Sequence, residues 1–179
     1  MDVFEAIQKR KSVRAYQSEP IPPEIMERLL EAARIAPSAA NFQPWHFIVV
    51  TDSEKRKVIS KGPYASFVTQ APVVIVGCGD MKASSNWATV DVSIALENTV
   101  LAATAEGLGA CWIGGFHEDE VKELLKIPEH FKVVALLTVG YPREKVDIGQ
   151  KLLRLIRRRK TLDEIVSAEE YGVKYVPRS

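Results

Sequence analysis

The stretch from about Trp87 to Glu106 constrains the fold of this chain more than any other. Its apolar residues Val90, Val92, Ile94, Ala95, Leu96, Val100, Leu101, Ala102 and Ala103 fall on most sides of a helix rather than along one stripe. A helix that is apolar nearly all round has to be covered nearly all round. One small domain supplies only part of that cover, so a homodimer with this helix near the interface is expected. Asp91, Glu97 and Asn98 are its polar exceptions. Such groups are more often hydrogen-bonded structural residues than catalytic ones. Gly107 and Gly109 are expected to close the helix.

Further elements surround this one. Residues 2–9 read as a helix with Val3, Phe4 and Ile7 on one side. Pro22 and Pro23 suit a helix start, and Ile25, Met26, Leu29, Leu30, Ala33 and Ala36 recur at helical spacing until Pro37. Strands are expected at Trp45–Val50, Val73–Cys78, Ala110–Ile113 and Lys132–Val139. The last is nearly continuous in apolar residues, the pattern of a central strand covered on both faces. Asp52 or Ser53 caps a short helix, and Glu118–Lys126 is an amphipathic helix stopped by Pro128. No repeat, low-complexity tract or linker interrupts the chain, so residues 1–179 are read as one domain.

With 46% hydrophobic and 26% charged residues, the chain can bury a core. A net charge of +1 argues against a general nucleic-acid binder, which carries a large basic excess. Cys78 and Cys111 sit in apolar surroundings without metal-ligand spacing, so two buried, reduced thiols are expected. The start Met-Asp-Val-Phe-Glu-Ala-Ile-Gln-Lys-Arg has no signal-peptide pattern. No apolar run approaches the roughly 20 residues that span a bilayer. A soluble, cytoplasmic protein without a membrane partner is expected.

Local charge is more informative than the total. In Lys9-Arg10-Lys11-Ser12-Val13-Arg14, the residues Arg10, Ser12 and Arg14 alternate, so an extended backbone points all three one way. Two guanidinium forks and a hydroxyl at one spot make a phosphate clamp. Taken alone, the cluster fits a solvated basic face somewhat better. A second cluster, Arg154 to Lys160, repeats the alternation at Arg157 and Arg159. The loop Pro37–Pro44 offers Ser38, Asn41 and Gln43, which can face a planar ring or simply form turns. Gly114-Gly115 admits a close ligand approach or is a plain turn.

Other chemistries find no template. The dinucleotide fingerprint, the phosphate loop and the nucleophile elbow are absent from the sequence. His46, His117 and His130 lie far apart without metal spacing and are expected in structural or exposed roles, so no metal site is expected. A cofactor is then left to supply the reactivity.

In order along the chain, Arg10-Lys11-Ser12-Val13-Arg14-Ala15-Tyr16, Ala36-Pro37-Ser38-Ala39-Ala40-Asn41-Phe42-Gln43-Pro44-Trp45, Gly107 to Gly114, Gly140-Tyr141-Pro142 and Arg159-Lys160-Thr161-Leu162-Asp163-Glu164 resemble the motifs of the FMN-dependent nitroreductase family. The resemblance covers nearly the whole chain. It implies an α+β fold with a central, mostly antiparallel sheet wrapped by helices, and a homodimer holding FMN at its interface. Arg10, Ser12, Arg14, Arg159 and Arg157 would hold the phosphate and ribityl chain. Pro37, Ser38, Asn41 and Gln43 would reach the flavin from the partner subunit. Ile113, Gly114 and Gly115 would line it, with the Gly114 backbone N–H facing the reactive nitrogen N5.

The activity implied is ping-pong reduction of nitroaromatics, quinones or related acceptors, with NADH or NADPH as electron donor. The alternatives are a narrow-purpose flavin enzyme, such as a dehalogenase or biosynthetic dehydrogenase, and a flavin carrier or sensor. Two departures matter. Many longer members carry an acidic residue where Gly114 stands, and the stretch between Gly62 and Trp87 is short. Substrate range is therefore the property the resemblance transfers least.

Overall fold

Four strands form one sheet: β1 (Trp45–Val50), β2 (Val73–Asp80), β3 (Gly109–Ile113) and β4 (Phe131–Gly140), in the spatial order β1-β2-β4-β3. Every neighbouring pair is antiparallel. The computed structural model describes residues 1–62, 65–143 and 159–176. They fall into two units, Met1–Glu144 and Lys145–Ser179.

In the first unit β4 lies centrally, as its apolar run predicts, and Leu136, Leu137, Thr138 and Val139 are fully buried. Alternation along β2 and β4 sends successive side chains to opposite faces. Ile75, Leu137 and Val139 pack on Leu29, Leu96 and Val100 from α2 (Pro23–Arg34) and α4 (Ala88–Ala105). Val74, Val76 and Leu136 pack on Ile59 of α3 (Ser53–Ile59), on Val68 and on Val121 of α5 (Glu118–Leu125). Each such Val, Leu or Ile contributes about 1.5–3 kcal/mol by leaving water. The result is the antiparallel α+β architecture expected from the sequence.

Two helix ends differ from expectation. Helix α2 stops at Arg34, leaving Ala36 buried but outside it. A residue preceding proline avoids helical geometry, so Pro37 ends the helix early. Gly107 (φ +77°) alone closes α4, with Leu108 N–H donating to Ala103 O at 2.8 Å. Gly109 instead opens β3.

Asp91, Glu97 and Asn98 of α4 are each hydrogen-bonded, as expected. Asp91 accepts from Ala39 N–H, Glu97 accepts from the Trp112 indole at 3.1 Å, and Asn98 donates to Ala32 O at 3.2 Å. Its apolar girdle is only partly covered. Trp87, Val90 and Ile94 are 55%, 44% and 37% exposed. The short helix α1 (Val3–Lys9) is capped by Asp2 and buries Ala6, while Val3, Phe4 and Ile7 face outward.

In the second unit, a 3-10 turn at Leu162–Glu164 is closed by a capping box. Glu164 accepts from Thr161 N–H at 2.8 Å and from Thr161 Oγ1 at 3.0 Å. Ser167 and Lys174 form a β-bridge beyond it.

Candidate functional site

Arg10 caps α1 in an extended conformation and turns the chain outward. Ser12 then bridges Ala110 of β3 in parallel, and Val13 N–H donates to Ala110 O at 3.0 Å. Gly109 makes room for this, since a Cβ there would lie 2.5 Å from Val13 Cγ2. Tyr16 fastens the end of the segment. Its hydroxyl donates to Val13 O at 2.6 Å and shares a hydrogen bond with Thr138 Oγ1 at 2.8 Å. Burial holds the Tyr16 phenol protonated well above its usual range.

Burial pushes the Cys111 thiol up, against the Arg14 charge, hydrogen bonds from Ser12 and Arg14, and the Arg10 charge. All three side chains are therefore near Cys111, in the middle of β3. The Arg14 guanidinium also lies 5.9 Å over the Phe67 ring. Among the described residues, neither Arg10 nor Arg14 is paired with a carboxylate. Two unpaired guanidiniums beside a hydroxyl are a donor set suited to a phosphate. Cys111 and Cys78 are buried free thiols, as the sequence predicts.

Further along β3, Ile113 is buried and Gly114 is exposed, with open space for at least 4 Å around the position of a Cβ. At Gly62, by contrast, a Cβ would lie 2.6 Å from Gly115 O and 2.8 Å from Phe116 Cα, so the Gly115 turn rests on it.

The loop Pro37–Pro44 presents Pro37, Asn41 and Gln43 on the surface, with Ser38 half-buried. Ala40, Asn41 and Gln43 hold left-handed φ values of 47°, 58° and 49°. Each costs on the order of 1 kcal/mol for a residue with a side chain. Two bonds tie the stretch down. Ser38 Oγ accepts from Gln43 N–H at 2.9 Å, and the Asp91 carboxylate accepts from Ala39 N–H at 3.2 and 3.3 Å. Ser38 thus has a role within its own loop, and its O–H proton is left to donate elsewhere.

Arg10, Ser12, Arg14, Ile113, Gly114 and Gly115 thus gather along β3. Among the described residues, no hydrogen bond, ion pair or ring contact joins them to the 37–44 loop of the same chain. Arg159 is exposed in the second unit, and Arg157 lies outside the described residues. The sequence did not reveal the Tyr16 fastening or the Asp91–Ala39 bond, although a carboxylate in so apolar a helix was the available signal.

The description of the Nitroreductase family matches residues 7–62 and 57–141, and the chain belongs to that family. A Methanothermobacter thermautotrophicus protein named NADH dehydrogenase/NAD(P)H nitroreductase is 43% identical over 152 residues, covering 80% of this chain and 79% of its own. A solved structure from Parabacteroides distasonis under the same name is 32% identical, with a TM-score of 0.83 over 94% of this chain and 98% of that one. An FMN-dependent nitroreductase from Clostridium difficile is 32% identical, with a TM-score of 0.74 over 79% of this chain and 88% of that one.

Proposed function

We propose that this chain is an FMN-dependent NAD(P)H oxidoreductase that reduces nitroaromatics, quinones or related acceptors. The observation that carries it is the docking of the Arg10–Arg14 segment on β3 through the Ser12–Ala110 bridge, with Arg10, Ser12 and Arg14 near Cys111, three residues before the exposed Gly114. FMN, held by Arg10, Ser12 and Arg14, would supply the hydride-transfer chemistry between NADH or NADPH and the acceptor in a ping-pong reaction.

The chain's own residues bind and orient. Arg10, Ser12 and Arg14 hold the phosphate by charge-assisted hydrogen bonds. Pro37, Ser38, Asn41 and Gln43 meet the ring. The Gly114 backbone N–H is assigned to N5, where a fixed donor stabilises developing negative charge. Ile113 and Gly115 flank it. The assignments of Arg159 and Arg157 rest on their sequence motif alone.

A homodimer completes the proposal. The outward Val3, Phe4 and Ile7 of α1 and Trp87, Val90 and Ile94 of α4 form apolar surface that a second copy would cover. The second copy would also bring a 37–44 loop to the clamp. Buried free thiols fit a reducing, cytoplasmic setting. Among the described residues, no helix is long and apolar enough to cross a membrane.

The test is a spectrum of the purified protein. It should be yellow, release FMN on denaturation and bleach with NADH or NADPH without oxygen. A colourless protein that cannot be reconstituted with FMN defeats the proposal. Colour without bleaching favours the carrier or sensor.

A further inference from the structure

Asp91 is the only buried carboxylate among the described residues, at 2% exposure. It sits in the first turn of α4, where helix geometry favours an acidic side chain. Both of its oxygens face a single donor, the N–H of Ala39, 52 residues away. Directly after Ala39 the backbone enters the left-handed region at Ala40 and Asn41, and again at Gln43, with no glycine among them. Such a conformation persists only where its surroundings over-determine it. Here the strained stretch lies between two fastened N–H groups, Ala39 on Asp91 and Gln43 on Ser38.

We propose that Asp91 is a positioning residue for the cofactor. It holds the 37–44 loop in its strained form, so that Asn41 and Gln43 are set before the flavin ring arrives. It thereby raises FMN affinity without touching FMN, because a loop already ordered loses less freedom on binding. This rests on the FMN proposal above.

The test follows FMN release from the purified holoprotein on dilution, read as the rise in flavin fluorescence. Asp91→Ala should weaken retention about tenfold, the effect of losing one well-placed charge-assisted bond. Asp91→Asn keeps an acceptor oxygen for Ala39 N–H and should stay within about threefold of wild type. Ala39→Pro removes the donor instead. Ser38 already has the extended ψ of 157° that a following proline requires, and the weakening should match that of Asp91→Ala. In an Ala40→Gly background one of the three left-handed residues is relieved, and Asp91→Ala should then cost a smaller factor than it does in the wild-type loop.

The same factor in both backgrounds overturns the proposal, because Asp91 would then act on packing and not on the strained backbone. Unchanged retention in both Asp91→Ala and Ala39→Pro overturns it as well. A wild-type chain that takes up no FMN overturns the functional proposal and this one with it. An FMN-binding wild type with unaffected variants overturns this one alone.

Discussion

The Tyr16 hydroxyl meets Thr138 Oγ1 at 2.8 Å across 122 residues of sequence, joining the clamp segment to the central strand. With the Tyr16 proton on Val13 O, the Thr138 hydroxyl donates to the Tyr16 oxygen, and Thr138 Oγ1 lies 3.3 Å from Cys111 O, so one buried cluster of polar groups joins the Val13–Tyr16 segment to β3 and β4. Tyr16→Phe should cost about 1–2 kcal/mol, since Val13 O and Thr138 lose a buried partner. It should also loosen FMN, because Arg14 lies two residues from the broken anchor. Urea denaturation and FMN release check the two effects, and a variant as stable as wild type would refute the anchoring role.

Arg10→Ala and Arg14→Ala should each weaken FMN retention by about tenfold or more, the effect of one charge-assisted phosphate contact. Arg14→Lys should recover only part, because a point charge replaces a two-pronged donor. Arg159→Ala asks the same of the C-terminal motif. Unchanged FMN affinity in all of these would remove the phosphate assignment.

Gly114 and Gly62 should respond oppositely to alanine. At Gly114 the new methyl meets nothing within 4 Å, so melting should hold while FMN binding falls if the flavin lies against that backbone. At Gly62 the methyl would press on Gly115 O, so both stability and FMN binding should fall. Differential scanning fluorimetry with and without FMN separates the two.

Ile94→Glu places a charge in the exposed apolar row of α4. Sedimentation should show monomers and loss of bound FMN in the same variant. A dimer with full FMN content would mean that the interface lies elsewhere.

Alkaline pH should destabilise the fold. Burial first, then the Glu118 carboxylate, pushes the Cys78 thiol from 9.0 up to about 11. Burial raises Cys111 and Tyr16 in the same direction. A folded value above the unfolded one means that the stabilisation is complete below about pH 9 and lost as pH rises through about 11. Cys78 alone accounts for about 3 kcal/mol of this. Urea midpoints measured across the range should fall, and Cys78→Ala should flatten the slope.

Much of the framework was legible in the sequence because burial imposes a period. Val73–Cys78 and Lys132–Val139 announce strands covered on both faces, and the paired prolines announce α2. Arg10, Ser12 and Arg14 could be read as a unit because extended backbone alternates. The 37–44 loop could not be read in the same way. Left-handed backbone is foretold by glycine, and here Ala40 adopts it after a residue held by a carboxylate on a distant helix, and Gln43 adopts it with its own N–H held by Ser38. The outward face of α1 was hidden for a related reason. Periodicity reveals that Val3, Phe4 and Ile7 share a side, while the fold decides which side turns inward.

Ser12 pairs with Ala110, and Tyr16 with Thr138 and Pro142. The first half of the clamp is therefore among the earliest parts of the nascent chain to leave the ribosome, while the strands that seat it are made late. Loop closure over such separations is slow compared with local helix formation. The protein can assemble most of its helices during synthesis, but the arm proposed to hold the phosphate has no seat until β4 is complete. On the proposed assignment, cofactor uptake therefore waits for the finished sheet to give the N-terminal arm somewhere to dock.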